Sequence, residues 1–221
     1  MSAVGAAALA TRATPAAAAT ALPSPSRSGL DHIVVLTMEN RSFDHLIGWA
    51  PGADGKQAGL TYTDRNGVAH STWPLAPDFQ GCGYSDPDHG YLDSRTAYDN
   101  GRCDGWLRTG KNDVYSIGYY RQQDLPFLGA AVPAWTVCDR WFAPIMGPTM
   151  SNRMYLHAGR TDRTDDLPLP SVLRTIWDGL LAKRISARYY RNNFSYLALW
   201  GTKYARITHT LADFLRDCRT G

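Results

Sequence analysis

Three places in the 221-residue chain carry side chains whose type and setting suit chemistry. Glu39 and Asn40 end the apolar run HIVVLTM, residues 32–38. A carboxylate beside an amide oxygen is a pair of hard oxygen donors of the kind that hold a divalent cation. Thr149 follows Gly147-Pro148, a sharp entry into what reads as a helix. A hydroxyl at a helix start lies among backbone N–H groups and the positive end of the helix dipole, which favour a phosphate or a developing alkoxide. A nearby metal would activate that hydroxyl further. Asn152 and Arg153, one turn on, offer donors to phosphate oxygens. His89, in DPDH, sits in a polar turn, where an imidazole can bind a metal, stabilise a phosphoryl oxygen or protonate a leaving group. Each place also has a plain structural reading: a capping Asn with a surface Glu, a threonine N-cap, and an exposed histidine at a helix start. His45 and His157 each stand on a helix that reads as packing, and both are taken as structural.

The elements that must hold these residues follow from the hydrophobic pattern. Residues 30–38 are nearly continuous in apolar and β-branched side chains, which predicts a buried strand of an α/β sheet with Glu39 and Asn40 at its carboxyl end. In open α/β sheets ligands collect beyond that end. Residues 42–47 predict a short helix with Phe43, Leu46 and Ile47 inward. TYTDRNGVAHSTW, residues 61–73, has the form of a hairpin around Asn66-Gly67. Residues 51–79 as a whole read as decoration on a core. Residues 85–101 predict a turn and then a helix, with Pro87 in its first turn and Gly101 as its stop. Residues 125–132 predict a short apolar helix, and residues 135–145 a buried strand or extended segment.

A helix is expected from Thr149 to Gly159. Ser171 is the expected N-cap of an amphipathic helix carrying Val172, Leu173, Ile176, Trp177, Leu180 and Leu181 on one face. Residues 185–190 predict a strand and residues 211–218 a last helix. Alternating strands and helices argue for a layered α/β fold with a mostly parallel sheet.

The composition narrows the classes. Net charge is +3, with 44 % hydrophobic and 19 % charged residues, which argues against disorder and against nucleic-acid binding, since no basic stripe stands out. RISARYYRNN, residues 184–193, is the most basic stretch and reads as a solvated strand edge. No run of eighteen apolar residues predicts a membrane span. Residues 1–28 are Ala-rich and then Pro/Ser-rich, and read as an unfolded leader or the remnant of a signal peptide. Residues 29–221 are expected to form the folded part. Cys82, Cys103, Cys138 and Cys218 allow two disulfides, with Cys82 and Cys103 the better pair, or four buried thiols. GxSxG, P-loop and GxGxxG motifs are absent.

HIVVLTMENRSFDHLIG, DPDHGY followed by NGRCDGW, and CDRWFAPIMGPTMSNRMYLHAG together resemble the bacterial phosphoesterase family of non-specific phospholipases C and acid phosphatases. Plant non-specific phospholipases C are similar. The resemblance runs from Leu30 to the end of the chain. It implies an alkaline-phosphatase-like α/β/α sandwich with a mostly parallel sheet, and residues 29–221 as the N-terminal part of a phosphoesterase catalytic domain. It also implies one divalent metal ion held by Glu39, Asn40 and Thr149, with Thr149 as nucleophile, His89 in the active site, and Asn152 and Arg153 on the substrate. SFD, residues 42–44, would hold the motif in shape. The implied reaction is a double displacement through phospho-threonine on a phospholipid or other phosphoester, in a secreted or cell-envelope protein that can touch a membrane surface. Family members are usually much longer, and a later segment supplies an acidic metal-ligand pair and further histidines. The expectation is therefore an incomplete sandwich that is weakly active or inactive alone. The alternatives are a phosphomonoesterase of the acid-phosphatase type and a non-catalytic fragment or interaction module.

Overall fold

The computed structural model describes residues 27–39 and 41–220. They belong to two units, one ending at Glu39 and one beginning at Asn40. Most of the expected leader, residues 1–26, lies outside the described residues, as does Asn40.

The first unit corrects one expectation. Residues 30–38 form no strand, and their apolar side chains are exposed: Ile33 is 81 % and Leu36 84 % accessible. A parallel strand is buried only when neighbours take up its N–H and C=O groups on both sides and helices cover its faces. No strand among the described residues pairs with this segment. Its apolar pattern is strand-like, but the cover is not supplied.

The second unit holds two packed regions. In the first, Ser42 caps helix α1 (Phe43–Ile47), its Oγ accepting from the His45 N–H at 3.1 Å. Strands β1 (Thr61–Thr63) and β2 (Ala69–Ser71) form the expected antiparallel hairpin, with Tyr62 opposite His70. Asp64 shapes its turn by accepting from the N–H groups of Asn66 (2.8 Å) and Val68 (2.9 Å), and Gly67 supplies the φ of +82°. Strand β3 (Trp73–Pro74) pairs in parallel with β4 (Gly118–Tyr119). Around this pair Leu75, Tyr115 and Tyr120 form a core against which Leu46, Trp73, Tyr84 and Leu125 pack. This is more than the decoration the sequence suggests. Helix α2 (Tyr91–Tyr98) begins after a Gly90 cap, so Pro87 lies before it rather than in its first turn. Helix α3 (Pro126–Ala131) falls where the apolar pattern placed it.

Residues 135–145 correct a second expectation. They form no strand, with a turn at residues 139–140, and are not buried: Trp135 is 66 %, Trp141 85 % and Phe142 77 % accessible, and again no strand among the described residues pairs with them.

The second region is organised by helix α4 (Thr149–Ala158), which Gly159 ends at φ +67°. Met154 is fully buried and packs with Leu197, Leu199, Trp200, Tyr204 and Ile207. Helix α5 (Ile176–Ala182) starts later than expected. Its cap is Thr175, in a reciprocal box with Asp178, and Ser171 instead donates to Asp162 at 2.7 Å. Val172 is therefore off the helix and 98 % accessible. Strands β5 (Tyr189–Arg191) and β6 (Thr208–Thr210) pair in parallel, and helix α6 (Leu211–Thr220) follows. The architecture is mixed α/β. Among the described residues parallel pairing is limited to two short pairs rather than one continuous sheet, because each strand is only two or three residues long. All four cysteines are exposed free thiols, neither paired nor buried.

Candidate functional site

Thr149 is the first residue of α4 and is half-buried. The turn before it is held from inside the helix. The Asn152 amide nitrogen donates to three carbonyls, Ile145 (3.1 Å), Gly147 (3.1 Å) and Pro148 (3.2 Å). That nitrogen carries two hydrogens, so it has none to spare for a phosphate oxygen, and its Oδ1 is buried without a partner. In this structure Asn152 shapes the turn that presents Thr149. From the first region, Arg95 of α2 donates to Met146 O in the same turn at 2.9 Å. The Arg153 guanidinium lies over the Tyr196 ring, 4.6 Å from its centroid.

His89 precedes α2 and is exposed. Its Nδ1 faces Pro87 O at 2.8 Å, and a carbonyl only accepts, so Nδ1 carries the hydrogen. Nε2 is left as the position at which a proton can be taken up or given. It lies 3.9 Å from Asp166 Oδ2. Asp166 Oδ1 accepts from the Met150 N–H at 2.7 Å, at the second residue of α4. His89 and the second residue of α4, distant in sequence, thus come to the two oxygens of one carboxylate. Sequence reading missed Asp166, and no motif marks it. The sole hint is an acidic pair, Asp165-Asp166, one loop after a helix.

Glu39 closes the first unit, while Thr149, His89, Asn152 and Arg153 lie in the second. Glu39 and Thr149 offer the hard oxygens a divalent cation takes. Among the described residues no group of three or more His, Cys, Asp or Glu gathers to hold a metal. A charged surface cleft is lined by Arg95, Asp99, Arg102, Asp104 and Arg108 and not by Thr149, and its Arg102 and Arg108 are both tied to Asp99.

The remaining helix histidines are held inside, as their setting suggested. His45 Nδ1 donates to Gly118 O at 3.0 Å. His157 Nδ1 accepts from Trp177 Nε1 at 3.3 Å, so the two rings carry opposite tautomers. Burial, and then the charge of Arg41 or Arg153 respectively, lowers each pKa to about 4. Both are neutral at pH 7.

A family model described as the phosphoesterase family matches residues 30–220. The chain belongs to the phosphoesterase family. Similar members include the non-hemolytic phospholipase C of Pseudomonas aeruginosa, 33 % identical over 66 % of this chain and 23 % of the relative's own length. Phospholipase C A of Mycobacterium tuberculosis is 29 % identical over 63 % of the chain and 31 % of its own length. Non-specific phospholipase C3 of Arabidopsis thaliana is 25 % identical over 89 % of the chain and 44 % of its own length. The chain spans less than half the length of each of these relatives. Residues 149–158 of the phosphoesterase match form α4, and Thr149 opens it.

Proposed function

We propose that this chain carries the nucleophile end of a phosphoesterase site that cleaves phospholipids in the manner of a phospholipase C. The observation that carries the reading is the start of α4: a half-buried threonine hydroxyl stands beside a backbone N–H that already holds an anionic oxygen, the Asp166 carboxylate at 2.7 Å. A phosphoryl oxygen is the same kind of acceptor. The names of the relatives support the substrate class.

Thr149 Oγ attacks phosphorus, its hydroxyl proton passes to His89 Nε2, which carries none in the tautomer that Pro87 O fixes, and the bond to the alcohol breaks. The departing oxygen, of diacylglycerol in a phospholipid, takes a proton from His89 Nε2. Water then attacks the phospho-threonine, regenerates the hydroxyl and releases the phosphorylated head group. Arg153 and backbone N–H groups offset charge on the equatorial oxygens. Glu39, Asn40 and Thr149 would hold one divalent cation, which when bound supplies further charge compensation and a more acidic hydroxyl.

In this reading residues 29–221, following a leader in residues 1–28, are the N-terminal part of a catalytic domain built as an alkaline-phosphatase-like sandwich. The protein then acts outside the cytoplasm, in the envelope or secreted, and meets phospholipid at a membrane surface. No helix among the described residues is long and apolar enough to cross a membrane. The exposed residues 30–38 favour a second reading, a non-catalytic fragment or interaction module that turns over little by itself.

Purified chain is assayed on p-nitrophenyl phosphorylcholine and, in parallel, on p-nitrophenyl phosphate. Diester turnover that falls at least about 1,000-fold in Thr149→Ala is the expected result. Turnover unchanged by Thr149→Ala removes the proposed nucleophile. Preference for the monoester moves the reading to an acid phosphatase, and no turnover by the parent chain favours the fragment.

A further inference from the structure

Asp166 does not stand by itself at the start of α4, because the loop that carries it is held in place by a buried arginine. The Arg163 side chain is 8 % accessible. It pairs with Asp162 through Nε at 2.7 Å and donates through Nη1 to the carbonyls of Leu167 (3.0 Å) and Leu169 (2.7 Å). The same loop is tied to α4 by the fully buried Ser151, whose Oγ donates to Arg163 O at 3.0 Å. Asp166 therefore hangs between two fixed points of one loop and reaches the Met150 N–H without freedom to wander.

The facing side is held as firmly. Asp88, next to His89, receives the Lys111 N–H at 2.7 Å and donates its own N–H to Asn112 at 2.6 Å. Pro87 O then fixes which imidazole nitrogen carries the hydrogen. The two Asp166 oxygens face different partners: Oδ1 accepts from the Met150 N–H at 2.7 Å, and Oδ2 lies 3.9 Å from His89 Nε2, which is ion-pair reach when that nitrogen is protonated.

We propose that Asp166 is a positioning residue that sets His89 Nε2 against the start of α4, and so against Thr149. This rests on the phosphoesterase reading for its catalytic meaning, but not for its geometry. A carboxylate suits the task because it accepts from a backbone N–H with one oxygen and faces an imidazole with the other. A 1 Å displacement between a nucleophile and a proton donor can cost about 100-fold in rate, so a residue joining them is felt without touching substrate.

The test uses the whole 221-residue chain and the variants Asp166→Asn, Asp166→Ala and Asp165→Asn. Asp165 is the control: it accepts from the Leu167 N–H at 3.0 Å and touches neither His89 nor α4. Nitrogen-15 spectra at one fixed pH report the Met150 amide and the two His89 ring nitrogens. Asp166→Ala should displace both sets of signals. The isosteric Asp166→Asn should displace the His89 ring signals and leave the Met150 amide near its parent position, and it covers the case in which the alanine variant fails to fold. Asp165→Asn should displace neither. In the phosphodiester assay, kcat should fall about 10- to 100-fold in Asp166→Ala with KM little changed.

His89 ring signals that stay in place in both Asp166 variants overturn the proposal, and so does a kcat equal to the parent's. A parent chain without Thr149-dependent turnover overturns the phosphoesterase reading, and the ring-nitrogen signals then decide the role of Asp166 by themselves.

Discussion

Leu75 and Met154 are almost equally buried, at 2 % and 0 % accessible, yet their surroundings differ. Leu75 lies among aromatic rings carried on loops and short helices. Tyr84 stacks on Tyr115 at 5.2 Å, and Phe79 on Tyr120 at 5.2 Å. The loops are closed by side chains bonded to backbone: Trp73 Nε1 donates to Val114 O at 2.9 Å, and the Tyr120 hydroxyl to Asp78 O at 2.7 Å. Met154 instead lies on a ten-residue helix against Leu197, Leu199 and Trp200. One region is stapled and the other packed. The candidate chemistry stands where they meet, with His89 from the stapled side, the start of α4 that Thr149 opens from the packed side, and Asp166 between His89 and the Met150 N–H. Catalytic partners drawn from two separately braced regions can be held rigidly without a continuous sheet beneath them.

The comparison breaks most directly at Met154. Met154→Ala removes a side chain from the centre of the packed region, and such truncations cost about 2–5 kcal/mol. Urea unfolding followed by circular dichroism should show that loss in one cooperative transition. A loss below about 1 kcal/mol would mean that α4 is not what organises the second core.

Acid sharpens the contrast, because each region buries one neutral histidine. The unfolded imidazoles titrate near pH 6.5, while His45 and His157 do so at about 4. Below pH 6.5 the unfolded chain binds protons that the folded chain does not. Stability is therefore full above about 6.5, falls as the pH drops toward 4 and levels off below it. The His157 share is on the order of 3 kcal/mol. Half-buried His45 contributes less, because solvent screens it. Urea midpoints between pH 7.5 and pH 4 should flatten more in His157→Gln than in His45→Gln, and the reverse order would exchange the two regions in this account.

A third change acts on the stapled region alone. A Cβ built on Gly118 would come 2.5 Å from Leu75 Cδ2, and Leu75 has no room to retreat. Gly118→Ala should cost about 1–3 kcal/mol by overpacking. Leu75→Val in the same chain should recover part of it, and no recovery would mean that the strain lies elsewhere.

What could be read in advance follows the same division. Helix α4 was legible from Thr149 to Gly159 because a proline-led start and a glycine stop are local signals, and the hairpin because Asn66-Gly67 demands its turn. Helix α5 was misplaced at its start. Ser171 preceded an apolar run and resembled a cap, but the reciprocal pair that decides the start is Thr175 with Asp178. The aromatic core of the first region escaped notice because its residues have no period; they meet through loops. Residues 30–38 and 135–145 carry a strand-like pattern, yet burial depends on cover from elsewhere in space, which a local pattern does not report. Thr149 and His89 were legible as chemistry-bearing types, whereas Asp166 matters only through contacts across the fold.

The smallest expected effect falls on the motif after Asn40. Ser42 Oγ accepts from the His45 N–H, and the next residues tie α1 to the first core. Asp44 Oδ1 receives the Lys56 N–H at 2.7 Å, and Gln57 Nε2 donates to both Asp44 O (2.7 Å) and Tyr120 O (2.8 Å). His45 O in turn accepts from the Tyr120 N–H at 2.9 Å. A five-residue helix has few internal hydrogen bonds, so its cap weighs more than in a long one. Ser42→Ala should cost about 1 kcal/mol and speed amide exchange at His45 before it does so at Met154. Ser42→Asp should restore both, since a carboxylate caps as well as a hydroxyl and suits the helix dipole. Failure of the aspartate to rescue would mean that Ser42 does something other than brace the stapled region.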